Sequence, residues 1–220
     1  MHCDVTTLLE QTLQDFCRSF LANPYLCYTE HGLHALFYAQ LFNALPPEQQ
    51  FFELGGQKVC VLQKEYPTAG KLGKSKCQHW DIAVIKNPPT SVREAPQPYD
   101  RLHLAAVIEF GMNATLEHLE DDVRRLLHPD ANLELGTAVH LYRLTAPGDK
   151  RSRRDLSYND DDVSTIAQVA ELVGKQSTTI YYGIYDAGNK YQTGLWRIRD
   201  GMVRDIRYDG LATAKEPVIN

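Results

Sequence analysis

The chain has 220 residues, 43% of them hydrophobic, and a formal net charge of −5. That length supports one domain with its own core over residues 1–220, and the acidic balance excludes binding driven by a broad basic surface, although contact with a few phosphates stays open. No apolar run approaches the ~18 residues of a membrane span, so no membrane association is expected.

The five cysteines, Cys3, Cys17, Cys27, Cys60 and Cys77, form no CxxC pair and no zinc-ligand spacing. A scattered, odd set without a leader-like segment points to a reducing compartment and a cytoplasmic location.

In chain order, Leu9, Leu13, Phe16 and Phe20 recur at helical steps, and Pro24 closes that helix. A second helix starts after Thr29, an N-cap residue, with Leu33, Leu36, Phe37, Leu41 and Ala44 as its stripe and Pro46-Pro47 as its stop. Glu30 lies in its first turn, where exposed backbone N–H groups favour a carboxylate. Residues 58–66, 79–86 and 101–111 read as three strands. The glycine- and lysine-rich stretch 67–76 lacks phosphate-loop spacing and reads as a turn region. After Gly111 the period changes: Leu116, Leu119, Val123 and Leu126 mark a helix that Asn113 or Thr115 can cap, ending before Pro129. Residues 133–144 read as a fourth strand, 163–174 as a further helix, and 178–185, 191–199 and 202–208 as a C-terminal set of strands with an Asp200-Gly201 turn. The expected architecture is α/β, a mixed central sheet flanked by helices.

Two of the strands carry isolated acids. Strand alternation puts Val107, Glu109 and Gly111 on one face and Ala106, Ile108 and Phe110 on the other. Asp81, Ala83 and Ile85 likewise share a face. An unpaired buried carboxylate costs roughly several kcal/mol, and two neighbours repel unless a cation joins them. A divalent ion with oxygen ligands resolves that conflict. The alternative is an acid at a strand end that meets an arginine or solvent.

A helix carrying Glu30, then HWDIAVI, then VIEFGMN, then the amphipathic LEHLEDDVRRL resembles the PD-(D/E)XK, or restriction-endonuclease-like, nuclease family. The resemblance covers about residues 29–144. It implies an αβββαβ core with an N-terminal helix and C-terminal additions over 160–209. By that likeness Asp81 is the family's first aspartate, Glu109 the acid of its E-x-K element, and Glu30 an auxiliary carboxylate. It further implies Mg²⁺ or Mn²⁺ as cofactor, nucleic acid as partner, hydrolysis of a phosphodiester as activity, and a protein partner or homodimer as a frequent setting. The chain departs from the pattern at the lysine, which falls on Gly111. Either another basic group serves, with Lys64 first and Lys86 second, or the domain is catalytically inactive and binds nucleic acid or a protein partner. Gly111 also fits relief of crowding at the strand-to-helix turn. A small, unrelated α+β interaction domain with incidental acids is the third reading.

EHGLH is not HExxH, yet Glu30 and His34 share a helical face, so His34 could help hold a metal or phosphate. Glu65 is expected beside Asp81 across a hairpin. Asp121, Asp122, Arg124 and Arg125 read as surface charges, Arg197 and Arg199 as a solvent-facing pair, and residues 150–154 as a solvated basic loop.

Overall fold

The computed structural model describes residues 5–89, 101–144, 173, 178–186 and 193–207. Helix α1 (Val5–Ala22) buries Leu9, Leu13, Phe16 and Phe20, the stripe expected from their spacing, together with Cys17. Helix α2 (Glu30–Ala44) begins at Thr29, whose Oγ1 accepts the Gly32 N–H at 3.1 Å. This cap fixes where Glu30 enters the fold. The buried stripe of α2 is Leu33, His34, Phe37 and Leu41, so a histidine takes a core position.

Strands β1 (Phe51–Leu54) and β2 (Gln57–Cys60) form a separate hairpin. Its Gly55-Gly56 turn has φ values of 56° and 76°, which glycine adopts without steric cost. The single strand expected over 58–66 is therefore two: it breaks at Val61, and β3 (Leu62–Pro67) joins a different sheet.

That sheet has seven strands in sequence order: β3, β4 (His79–Ile85), β5 (Leu104–Met112), β6 (Leu133–Leu144), β7 (Thr178–Asp186), β8 (Gly194–Arg199) and β9 (Met202–Asp205). The β5–β6 and β6–β7 pairs are parallel and the others antiparallel. The architecture is thus mixed α/β, with a large mixed sheet flanked by helices. Parallel strands need a crossover, and α3 (Leu116–Leu126) supplies it between β5 and β6. The Asp200-Gly201 turn between β8 and β9 has positive φ at both residues, 52° and 72°, as a two-residue hairpin requires.

The sheet is covered on both faces. Phe110 of β5 packs against Phe16 of α1 and Phe37 of α2. From the other side α3 buries Leu119, Val123 and Leu126, and its Arg125 meets Glu109. β5 is consequently buried along nearly all its length, as its apolar run implied. Arg197 and Arg199 are tied to Glu10 of α1, at 3.6 and 3.1 Å, instead of standing free in solvent.

The helix expected over 163–174 and the basic run 150–154 lie outside the described residues, save helical Val173. Among the described residues no helix is long and apolar enough to cross a membrane.

Candidate functional site

One end of the sheet gathers the sequence-predicted acids. The β4–β5 ladder runs to the rung Ile82↔Ile108, and one step beyond it Asp81 and Glu109 stand opposite each other. Their carboxyl groups lie within hydrogen-bonding reach. On the other side, Glu65 falls between the rungs Lys64↔Ile82 and Tyr66↔Trp80, again opposite Asp81. Glu65, Asp81 and Glu109 thus form a row across β3, β4 and β5. Glu30 closes the corner: its Oε2 accepts the Met112 N–H at 2.8 Å, which ties the start of α2 to the end of β5.

Asp81 occupies the rim where both faces of the sheet meet. Its Oδ2 accepts the Phe110 N–H at 2.8 Å and lies 3.6 Å from His34 Nε2 on the α2 side. The side-chain acceptor replaces a ladder partner just where β4 leaves β5. Burial raises the pKa of Asp81, with the Phe110 N–H acting against it. Glu109 is only 2% exposed, and burial pushes its pKa well above the ordinary carboxyl value. Arg125 opposes that shift and Asp81 reinforces it. Arg125 Nη2 lies 3.0 Å from Glu109 Oε1, but the approach is not aligned for a hydrogen bond, and Oε1 is left without one.

Arg125 is committed first to Asp122, at 2.7 Å. Asp122 also contacts His140 Nε2 at 3.0 Å and His118 Nε2 at 3.3 Å. Burial alone would raise the Asp122 pKa, yet the contacts from His118 and His140 hold it well below the usual carboxylate range. The Asp122 contact in turn raises the pKa of His118. Asp122 and Arg125 are buried, at 2% and 9% exposure, and so are not the surface charges that the sequence suggested. The signal was there: Asp122 falls between Leu119 and Val123 on the stripe that α3 turns to the sheet.

This network explains Gly111. Gly111 and His140 are register partners on the parallel strands β5 and β6. A Cβ on Gly111 would stand 2.4 Å from Cε1 of the His140 ring. The ring is buried and held by Asp122, so it has nowhere to go. Gly111 is not among the residues of positive φ, so close approach of the imidazole, not the strand-to-helix turn, sets the requirement. The turn itself uses Asn113 at φ 54°, whose Oδ1 accepts the Arg143 N–H at 2.8 Å, while Thr115 caps α3.

The two lysines part company. Lys64 is exposed on β3, and its charge is close enough to His34 to oppose protonation there. Lys86 follows the far end of β4 and pairs with Glu134. A cavity of about 710 Å³, lined in part by Val61, Val84, Lys86 and Glu134, opens at that opposite end. His79, at the start of β4, is exposed.

The sequence reading missed an aromatic loop next to Glu30. The Arg143 guanidinium donates to the carbonyls of Pro24, Cys27 and Tyr28 at 2.8–2.9 Å. It also lies 5.1 and 5.5 Å from the rings of Tyr25 and Tyr28. Pinned in this way, Tyr25, Leu26 and Tyr28 are 42%, 57% and 79% exposed. Comparison of the chain with protein-family models, curated proteins and solved structures gives no match.

Two outcomes follow from this geometry. Gly111→Ala lowers stability by about 1–3 kcal/mol through overpacking, and His140→Ala in the same chain removes most of that increment; a thermal-unfolding double-mutant cycle measures it. Glu109 keeps its proton in the fold at a pH where the unfolded chain has released it, so its contribution falls as pH rises from the unfolded carboxyl value through the folded one. Glu109→Gln imitates the protonated side chain and escapes that loss. As pH rises above the ordinary carboxyl range the melting temperature of the wild type therefore falls relative to the variant; parallel curves would show that the Glu109 pKa is unshifted by folding.

Proposed function

We propose that the chain is a PD-(D/E)XK nuclease-like domain that binds Mg²⁺ or Mn²⁺ at Asp81, Glu109 and Glu30 and hydrolyses a phosphodiester of nucleic acid. The observation that carries this reading is the meeting of the Asp81 and Glu109 carboxyl groups across β4 and β5. The element order α2, β3, β4, β5, α3, β6, in which β6 runs parallel to β5, supports the same likeness.

The residues present suit such an ion. Asp81 and Glu109 are both carboxyl groups, as hard divalent cations prefer, whereas Glu30 stands further off: its ligand atoms do not come within 4.8 Å of both. Glu109 Oε1 is buried without an aligned donor, and Glu30 uses only Oε2 among the described residues. When bound, the ion would polarise the phosphate and lower the pKa of a water molecule. Asp81 and Glu109 would fix its place, while the Phe110 N–H holds Asp81 in orientation. Lys64 is the cation that could approach the phosphate from the solvent side in place of the missing motif lysine. The loop of Tyr25 and Tyr28 offers exposed ring faces two to five residues before Glu30, as base stacking requires.

A second reading, a catalytically inactive domain that binds nucleic acid or a protein partner, draws on other observations. Arg125 already places one positive charge beside Glu109, and His140 fills the space above Gly111. Both features permit a stable fold with neither metal nor lysine.

With Mn²⁺ the purified protein is expected to nick plasmid or to cut single-stranded DNA or RNA, and Asp81→Asn to slow this by on the order of 10²-fold or more. Absence of cutting with every divalent metal in both proteins rejects hydrolysis and leaves the binding reading. In either case Tyr28→Ala weakens single-stranded oligonucleotide binding about ten-fold, the effect of losing one stacked base, as read by fluorescence anisotropy; equal affinities would remove the tyrosine loop from the interface.

A further inference from the structure

A second cluster lies on the α2 side of Asp81, built from residues the carboxylate site does not use. His31, His34 and Glu65 bring one ligand atom each to within 4.8 Å of one another. His34 is fully buried, and neither of its ring nitrogens has a hydrogen-bond partner. A neutral imidazole has one donor and one acceptor nitrogen, and leaving both unsatisfied in the interior is costly. The ring packs against Phe110 at 5.1 Å and against His31, edge to face, at 5.5 Å, so it cannot turn out to solvent without leaving the core.

Glu65 contributes a second, independent oddity. It has φ 51° in the middle of β3, a left-handed conformation rare for a residue other than glycine, asparagine or aspartate. The ladder skips it, between Lys64 and Tyr66. Strain of this kind persists where the surroundings impose it, and it is common at ligand sites. Here the distortion accompanies a carboxylate that faces His31 and His34.

We propose that His31, His34 and Glu65 form a binding site for a transition-metal ion such as Zn²⁺, Mn²⁺ or Co²⁺. Two imidazoles and one carboxylate suit these ions and disfavour Mg²⁺, which takes oxygen ligands. The ion satisfies a nitrogen of His34 that the protein leaves without a partner. It also gives the distorted Glu65 backbone a use. His31 and Glu65 are exposed, so the ion has a path in from solvent and an open side toward it. Asp81 Oδ2, 3.6 Å from His34 Nε2, stands next to the site as a neighbouring negative charge. The site goes beyond the proposed carboxylate centre, and neither requires the other.

The test uses the full chain, with Zn²⁺ binding measured by calorimetry and Co²⁺ binding by visible absorption. One equivalent of Co²⁺ is expected to give the bands of nitrogen-ligated cobalt, displaced by Zn²⁺ and not by Mg²⁺. His31→Gln and Glu65→Gln, both exposed and harmless to the core, each lower the affinity at least ten-fold. Glu65→Gly abolishes the site and raises the melting temperature of the metal-free protein, because glycine adopts the left-handed backbone freely; a purely structural Glu65 would not combine those effects. Glu109→Gln keeps the cobalt spectrum. No cobalt bands in the wild type, or an unchanged affinity in the His31→Gln/Glu65→Gln double variant, overturns the site. Binding lost in Glu109→Gln but retained in that double variant also overturns it and assigns the ion to the carboxylate centre instead.

Discussion

A carboxyl group enclosed in the central strand of the sheet sets the terms for everything around it. Glu109 has apolar neighbours along β5 and almost no access to water. Its negative form is disfavoured there, and the protein answers with Arg125 from α3. A buried guanidinium creates a demand of its own, which Asp122 meets at 2.7 Å. Asp122 then has a full negative charge in the interior, balanced by contacts with His118 and His140. The His140 ring needs room over β5, and Gly111 provides it. The chain of demands starts at position 109 and ends two residues later on the same strand. Gly111 is thus bound to the network by packing, whatever chemistry the corner performs.

The arrangement also explains why acids from three strands and a helix share one corner. Asp81 sits one step past the last residue of β4 paired with β5, where a side chain can take the Phe110 N–H in place of a backbone carbonyl. At the rim it touches the α2 side through His34 and the α3 side through Glu109. An acid one residue further into the strand would be held to a single face. The left-handed Glu65 opposite Asp81 and the capped start of α2 complete the rim from the other direction. Pairing with β5 stops at this end of β4 while pairing with β3 continues past Glu65, and the positions freed on the β5 side become available for ligands.

Much of this was legible in the sequence for definite reasons. Alternation marked Asp81 and Glu109 as isolated acids on apolar strands, while their meeting across β4 and β5, like that of Glu65 with Asp81, was an expectation that strand register decides. Thr29 announced the start of α2 and thereby the place of Glu30. What escaped notice were polar residues inside apolar stripes. His34, read beside Glu30 as a possible metal or phosphate contact, lies between Leu33 and Phe37 in the core stripe, and Asp122 lies between Leu119 and Val123, where its charge suggested solvent but helical position indicated the core. The break at Val61 was hidden because valine, cysteine and leucine suit a strand on either side of it. The Gly55-Gly56 pair was the local sign that another hairpin preceded the break. The tyrosine loop was invisible for a different reason: its anchor, Arg143, is more than a hundred residues away in the chain.

The two readings of the corner reduce to a contest between cations for one oxygen. Arg125 could serve as a permanent substitute for a metal only if its guanidinium satisfied Glu109 as well as it satisfies Asp122. It does not. The contact with Asp122 is short and aligned, whereas the contact with Glu109 is longer and off-axis, and Oε1 keeps an unused acceptor. Burial, opposed by Arg125 and reinforced by Asp81, pushes the pKa of a carboxyl group in that position well above the ordinary value. A divalent ion between Asp81 and Glu109 would supply further positive charge without displacing Arg125 from Asp122. It would also convert the mutual repulsion of the two acids into joint ligation. The network behind Glu109 is therefore compatible with an ion in front of it, and Arg125 is better understood as support for the corner than as the occupant of its binding position.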